Sequence, residues 1–464
     1  MFEMTPHFQK VKKHPLYLQL YEYIKQEIQE GRIQAGMKLP SKRKLAVHLN
    51  LGLNTVDAAY QQLIAEGYVE SKLRKGYFVV EFEGDVITKK DPIPSLQFNI
   101  PEVKPEYKIN FNHGIVDMAH FPFTVWRKLL VNTSCQHELF MNGDPQGERN
   151  LRAAITDSIF QSRGVRCSPD QIIIGAGTQY LIQLLCLLLG KNRTFAMENP
   201  GFHRVRQVFL DFERKIEGIP LDEDGLIVEH LLRIHADIVY VTPSHQFPTG
   251  TIMPISRRME LLKWAREKQA YIIEDDYDGE FRYVGKPIPS LQGLDSDNRV
   301  VYLGTFSKAF IPSIRVSYLI LPPELLKIYH QKFRGYKHTV PRIIQEALNQ
   351  FIENGHWERH LNKMRTIYRK KNHILTEVVQ QHFGDRVNVI GEKSGLHILL
   401  QINNGLSETE LVEKASQVGV KIYPTSLYYE KGKYSHEPTV LLGYGGLSHE
   451  ELQEGILFLK KAWF

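Results

Sequence analysis

Residues 270–283 read AYIIEDDYDGEFRY, and residues 301–318 read VYLGTFSKAFIPSIRVSY. In each, a short apolar run, 271–273 and 301–303, gives way at once to polar chemistry. Such runs fit strands buried on both faces, the pattern of a parallel sheet packed between helices. In an open sheet of that kind the ligand crevice lies beyond the carboxyl ends of the strands. Both polar clusters would therefore face one mouth: Glu274, Asp275, Asp276 and Tyr277 from the first, Thr305, Ser307 and Lys308 from the second. A lysine with two hydroxyl neighbours, and Arg315 seven residues on, suggests a Schiff-base amine beside an anion cradle. With an acid partner for a ring nitrogen, supplied by Asp275 or Asp276, this is the set that pyridoxal 5′-phosphate requires.

Around that centre lies a chain of 464 residues, too long for one small domain, with the 42% apolar and 24% charged content of an ordinary globular protein. Cys135, Cys167 and Cys186 are scattered, without a CxxC pair, so neither a disulfide framework nor a structural zinc site is expected and no metal is assigned. No signal peptide is legible, and LIQLLCLLLG at 181–190 is too short for a membrane span. A cytoplasmic protein without a membrane partner is expected. The charge is uneven: the first 80 residues hold 9 Lys and 3 Arg against 7 acidic residues, an excess of five in a chain whose net charge is +6. A small basic module ahead of a nearly neutral body points to nucleic acid as that module's partner.

Within the module, LYLQLYEYIKQEIQEG at 16–31 carries Leu16, Leu18, Tyr21, Ile24 and Ile28 at roughly helical spacing and stops at Gly31. Ser41 is a plausible N-cap for a second helix over KRKLAVHL, and Asn54 or a neighbour opens a third that ends at Gly67. YVESKLRKGYFVV at 68–80 reads as two short strands joined by a basic tip. Residues 81–109 combine prolines with charge and no sustained period, as a tether does. Further on, QIIIGAGTQYLIQLLCLLL at 171–189 reads as strand, turn and helix, which would offer backbone N–H groups and a helix N-terminus to a phosphate.

These segments carry two resemblances. LPSKRKLAVHL, NTVDAAYQQLIAEGY and GYFVV resemble the GntR-type winged helix-turn-helix; DDY, TFSK and Arg315, with MNGDPQG at 141–147 and VTPSHQFPTG at 241–250, resemble fold-type I aminotransferases. The whole chain resembles the MocR/GabR family of GntR-type regulators. The fold so implied is multidomain: a winged helix-turn-helix over 1–80, a linker over 81–109, and an α/β fold-type I aminotransferase-like domain over 110–464 with a small α+β lobe from about 330. The resemblance implies double-stranded DNA as partner, a homodimer, and pyridoxal 5′-phosphate held as an aldimine on Lys308. It favours Asp275 over Asp276 for the pyridine nitrogen and puts Tyr277 on the ring's phenolic oxygen and Phe202 on the ring face. Gly177, Thr178, Gln179, Thr305, Ser307 and Arg315 would surround the phosphate. Arg204, or Arg206 beside it, would take the carboxylate of an amino acid effector. On DNA, Lys42, Arg43 and Lys44 would meet phosphates; Asn54, Thr55, Asp57, Tyr60 and Gln61 would enter the major groove; Lys72, Arg74 and Lys75 would form the wing tip.

Four departures qualify the match. Gly52 and Leu53 stand where the family has serine and arginine, and Asn142 where a tyrosine reaches the neighbouring subunit's cofactor phosphate. Phe247 stands where aminotransferases carry an asparagine on the ring oxygen, leaving His245 or Gln246 to replace it. Residues 421–445 contain no arginine and offer lysines such as Lys431 and Lys433, so GABA is not assigned and an α-amino acid such as D-alanine stays open. Two functions fit the whole: a regulator sensing an amino acid or amine through external aldimine formation, or an active aminotransferase with an accessory DNA-binding domain.

Overall fold

The computed structural model describes residues 6, 14–81, 107–283, 288–333, 335–430, 432 and 437–464. The chain divides into two compact units, Met1–Lys104 and Pro105–Phe464. Most of the tether expected over 81–109, and the lysines at 431 and 433, lie outside the described residues.

The first unit contains helices α1 (Leu16–Gln29), α2 (Lys42–His48) and α3 (Leu53–Ala65) and the hairpin β1 (Val69–Lys72) with β2 (Gly76–Val79). On α1 the buried stripe is Leu20, Tyr21, Ile24 and Ile28, while Leu16 stays exposed at 41%. Ser41 caps α2, its Oγ accepting from the Lys44 N–H at 3.3 Å. Gly52, rather than Asn54, is the N-cap of α3. One side of that helix, Val56, Ala59, Tyr60 and Leu63, closes the core against α1 and the hairpin.

The second unit is built on an eight-stranded sheet in the order β4 (Ile172–Gly175), β11 (Ser317–Ile320), β10 (Val300–Thr305), β9 (Tyr271–Asp276), β8 (Ile238–Val241), β5 (Thr194–Asn199), β6 (Lys215–Asp222) and β7 (Gly225–Leu226). Strands β10, β9, β8, β5 and β6 run parallel, and β11 is antiparallel to both β10 and β4. The carboxyl ends of β4, β8, β9 and β10 thus open on one side, where the apolar runs meet their polar clusters. Both faces are covered. Ile273, Val301 and Leu303 pack with the helix Thr178–Leu189 on one, while Ile272 and Val300 pack with Leu261 and Trp264 of the helix Ile255–Lys268 on the other.

The smaller sheet orders β12 (Val387–Ile390), β13 (His397–Ile402), β16 (Thr439–Gly443) and β15 (Tyr423–Pro424), all antiparallel, beside the helices His356–Phe383 and His449–Trp463. Strand β14 (Val420–Lys421) pairs in parallel with β3 (Ile109–Asn110). The tether boundary at 109 is therefore corrected: Ile109 is 2% exposed and, with Phe111, belongs to the core of this lobe. A paired, buried strand can form at that point because its partner arrives from more than three hundred residues away.

Candidate functional site

Strand alternation decides which acid faces the cavity. Along β9, Ile273 and Asp275 share one face and Ile272, Glu274 and Asp276 the other, since side chains alternate with period two. Asp276 is held on its side by Arg163 at 2.6 Å and by the Tyr302 hydroxyl at 2.7 Å. Asp275 instead lines a cavity with Lys308, Tyr277, Phe202, Arg204, Thr178, Gln179, Thr305, Ser307 and Arg315. Tyr240 donates its hydroxyl to Asp275 Oδ2, and Oδ1 is buried with no hydrogen-bond partner. Burial pushes this carboxyl up to about 7, against the pull of the Tyr240 hydrogen bond. An unpartnered buried acceptor invites a donor from the cavity.

Lys308 lies at the far end of the β10 polar cluster, its Nζ donating to the His113 carbonyl. Burial lowers the amine to about 8, with the Asp278 charge raising it and the Arg204 charge lowering it further. Near pH 8 half of it is a neutral nucleophile. On the same wall the start of helix Thr178–Leu189 meets a cation, Arg315. Gly177 has φ +97°, and a Cβ there would overlap the Arg315 guanidinium, so the close approach requires glycine. Gly177 itself is not among the lining residues. Arg315, exposed and in the left-handed region at φ +51°, reaches the Ala176 carbonyl at 3.5 Å. Thr305 Oγ1 accepts from the Ser307 N–H at 3.2 Å and from Ser317 Oγ at 2.8 Å.

Three expected positions fall elsewhere. His245 does not line the cavity; it packs behind Tyr277, whose hydroxyl lies 2.9 Å from its Nδ1. Gln246 turns away to Glu198 and to the carbonyls of Pro200 and Phe247, and it is the Phe247 ring that forms the wall. Arg206 is half-buried outside the lining set, near the charge of Glu430, while Arg204 beside it lines the cavity. Asn112, His113, Gly114, Tyr240 and Thr242 complete the wall, and no motif in the sequence points to them. Strand β8 is buried on both faces, so its apolar run does not mark Tyr240 as a cavity residue, and nothing near 113 signals a cavity. Burial, and the charges of Lys308 and Arg204, hold the His113 imidazole down to about 3, so it is neutral. Among the described residues no cluster of His, Cys, Asp or Glu is arranged to hold a metal.

In the first unit Arg43, Lys44, Asn54, Gln61, Lys72, Arg74 and Lys75 are exposed, while Thr55 is half-buried. Lys42 is engaged in an ion pair with Asp57, and Lys72 in one with Glu70 at 2.7 Å. Tyr60 corrects the expected groove-facing set. It is fully buried, donates its hydroxyl to the Pro40 carbonyl at 2.9 Å and meets Tyr77 edge to face at 5.0 Å. Its spacing of four from Val56 and three from Leu63 is the sequence signal for a core position. Leu53 is 46% exposed in the first turn of α3.

Comparison with known proteins gives both units a place. Residues 106–453 match the family of class I and II aminotransferases, and residues 16–79 match the bacterial regulatory proteins of the gntR family. YdeL of Bacillus subtilis, an uncharacterized HTH-type transcriptional regulator, is 48% identical, covering 99% of both chains. The probable rhizopine catabolism regulatory protein MocR of Rhizobium meliloti is 31% identical over 97% of this chain and 94% of its own. Among solved structures, the multiple substrate aminotransferase of Thermococcus profundus superposes with a TM-score of 0.71 at 24% identity, covering 78% of this chain and 92% of its own. The α-aminoadipate aminotransferase LysN of Thermus thermophilus, complexed with N-(5′-phosphopyridoxyl)-L-leucine, gives 0.69 at 25% identity, covering 76% and 92%. No helix among the described residues is long and apolar enough to cross a membrane. A gntR-type DNA-binding unit followed by a class I and II aminotransferase unit, matched from end to end by regulators of that same build, places this chain in the MocR family of transcriptional regulators.

Proposed function

We propose that this DNA-binding regulator holds pyridoxal 5′-phosphate in the cavity beyond β9 and β10 and uses it to sense an amino acid. The observation that carries the reading is the buried, unpartnered Oδ1 of Asp275, in the same cavity as the partly neutral amine of Lys308. The residues present fit the group. Asp275 Oδ1 would accept from a ring N–H, and a cation there would restore the charge that burial suppresses. Thr178, Gln179, Thr305, Ser307 and Arg315 would bind the phosphate. Phe202 and Phe247 would enclose the ring and exclude water. When bound, the cofactor supplies an aldehyde carbon that can exchange one amine for another. Lys308 offers the protein's own amine at that carbon, and Arg204 would hold the effector's carboxylate. Five large apolar side chains exposed between 115 and 140, Ile115, Met118, Phe123, Val131 and Phe140, support a homodimer.

An electrophoretic shift of the full-length, cofactor-loaded protein on DNA from upstream of its own gene and its neighbours, with nonspecific competitor and a panel of amino acids, tests the reading. A specific complex altered by one amino acid upholds it. Keto-acid release without a specific complex would make the protein an aminotransferase instead. In the same assay Arg204→Gln is expected to raise the half-effective amino acid concentration 10- to 100-fold, the equivalent of one charged hydrogen bond at about 1.5–3 kcal/mol. The visible absorbance of the loaded protein should stay as in the parent; an unchanged response would remove Arg204 from the effector site.

Leu53→Arg is expected to tighten binding to specific and nonspecific DNA alike, because it restores a cation beside the backbone without touching a base. The slope of log K against log salt should steepen by about 0.9 for one added phosphate contact. Fluorescence anisotropy on both duplexes at several salt concentrations reads this, and equal affinities for parent and variant would refute it.

A further inference from the structure

Behind the cavity wall two acceptors converge on one ring nitrogen. His245 Nδ1 lies 2.9 and 3.1 Å from the two carboxylate oxygens of Asp278 and 2.9 Å from the Tyr277 hydroxyl. Asp278 and His245 are each 2% exposed. Tyr277 is the member of the trio that lines the cavity, which Lys308 lines too. The imidazole is held tightly: a Cβ on Gly395, at φ +77°, would overlap the ring, and one on Gly250 would come within 3.2 Å of Nε2.

An ionised carboxylate only accepts, so Asp278 requires the hydrogen to be on Nδ1. With that hydrogen in place the nitrogen has no lone pair for Tyr277. The tyrosine oxygen can accept from the imidazole but cannot donate to it, and its own O–H is left for the cavity. Resting on the cofactor reading above, we infer that His245 and Asp278 are positioning residues that aim the Tyr277 hydroxyl proton into the cavity, toward the oxygen of a ring bound beside Lys308. Neither reaches the cavity itself. The arrangement also explains how the wall serves with Phe247 in place of an amide: Tyr277 alone donates, and the pair behind it removes the alternative acceptor.

The other groups facing this pair leave it intact. His397 lies 5.1 Å away between ring centroids and pairs its Nε2 with the Pro248 carbonyl, and burial keeps it well below its ordinary value, hence neutral. Arg163 is committed to Asp276 and Ser244. Arg282 and Ser394 border the same small space, and the Lys308 charge is felt from the cavity side.

The test is a spectrophotometric pH titration of the full-length protein loaded with pyridoxal 5′-phosphate, comparing the parent with Asp278→Asn, His245→Ala, Tyr277→Phe and the double variant Asp278→Asn/Tyr277→Phe. A donor on the ring oxygen weakens that oxygen's hold on the proton of the Lys308 nitrogen, so losing the aimed O–H raises the midpoint. Asp278→Asn replaces an obligate acceptor with an amide that can also donate to Nδ1, so the hydrogen is no longer fixed on that nitrogen and the tyrosine is free to turn away. The expected rise is about tenfold in proton affinity for His245→Ala and Tyr277→Phe, the scale of one hydrogen bond to a charged group, and smaller for Asp278→Asn, where the lost charge acts in the opposite direction. The double variant should rise no further than Tyr277→Phe, and Asp278→Glu should stay nearer the parent.

The sign is diagnostic. Loss of the Asp278 negative charge alone would lower the midpoint, since that charge raises the Lys308 amine. A fall, or no change, in Asp278→Asn and His245→Ala overturns the inference while the cofactor reading stands. A parent that shows no visible band overturns both. If Asp278→Asn does not fold, His245→Ala, which leaves the carboxylate in place for the tyrosine to turn toward, decides alone.

Discussion

Lys308→Ala is expected to abolish the visible absorbance band of the protein loaded with pyridoxal 5′-phosphate. The band requires a nitrogen bonded to the cofactor's aldehyde carbon, and Lys308 is the lysine among the residues lining the cavity. Arginine cannot substitute, because its guanidinium is not deprotonated in proteins. The phosphate cradle and Asp275 remain, so equilibrium dialysis should still find weakened, reversible retention of the cofactor. Specific DNA binding should then no longer respond to any amino acid in the panel. Folding should not suffer at neutral pH. The folded amine titrates near 8 against an ordinary value of 10.5, so below pH 8 both states carry the proton and the fold bears the cost of burying a charge. Between about 8 and 10.5 the folded state sheds the proton first and the parent gains stability with rising pH, a gain the alanine variant lacks. An unchanged absorbance band in the variant would overturn the assignment of Lys308.

Tyr60→Ala carries the second large effect, on the other unit. The expected loss is about 3–5 kcal/mol, the range for removing a buried aromatic side chain. It also strips the Pro40 carbonyl of its donor. Small domains bury a modest share of their surface and stand near the low end of the usual 5–15 kcal/mol, so a loss of this size takes most of the unit's stability. Differential scanning calorimetry should show the transition of the DNA-binding unit moving down sharply while that of the aminotransferase-like unit stays in place. Binding to specific and nonspecific duplexes should fall together. Tyr60→Phe keeps the ring and should cost only about 1 kcal/mol for the lost hydrogen bond. An unshifted transition with loss of specific binding alone would return Tyr60 to the groove.

The contrast between these two residues shows what was legible in advance. Lys308 is legible as a cavity residue because an apolar run that ends abruptly in hydroxyls and a lysine marks a buried strand and its carboxyl end. For Tyr60 the motif resemblance and the period of its own helix point in opposite directions, and the period prevails: Val56, Tyr60 and Leu63 form one buried stripe. The sequence offers His245 or Gln246 for the ring oxygen because they precede the position of the missing asparagine, yet the chain there turns Phe247 inward and His245 back toward Asp278. Long-range partners were beyond reach: neither Tyr240 on Asp275, nor His113 over Lys308, nor Ile109 beside Val420 leaves a local trace, since each pairing is made by the topology of the sheets.

Strand β3 ends at Asn110, three residues before His113, and in the chain it follows the segment that joins the two units. A free ammonium has three hydrogens to give, and one of Lys308's goes to the His113 carbonyl. A nitrogen joined to a second carbon has fewer hydrogens and a fixed plane, so this carbonyl stands to lose its donor whenever the amine is engaged. Under the function proposed above, occupancy of the cavity would be felt first at the His113 carbonyl, three residues beyond the strand that opens the second unit.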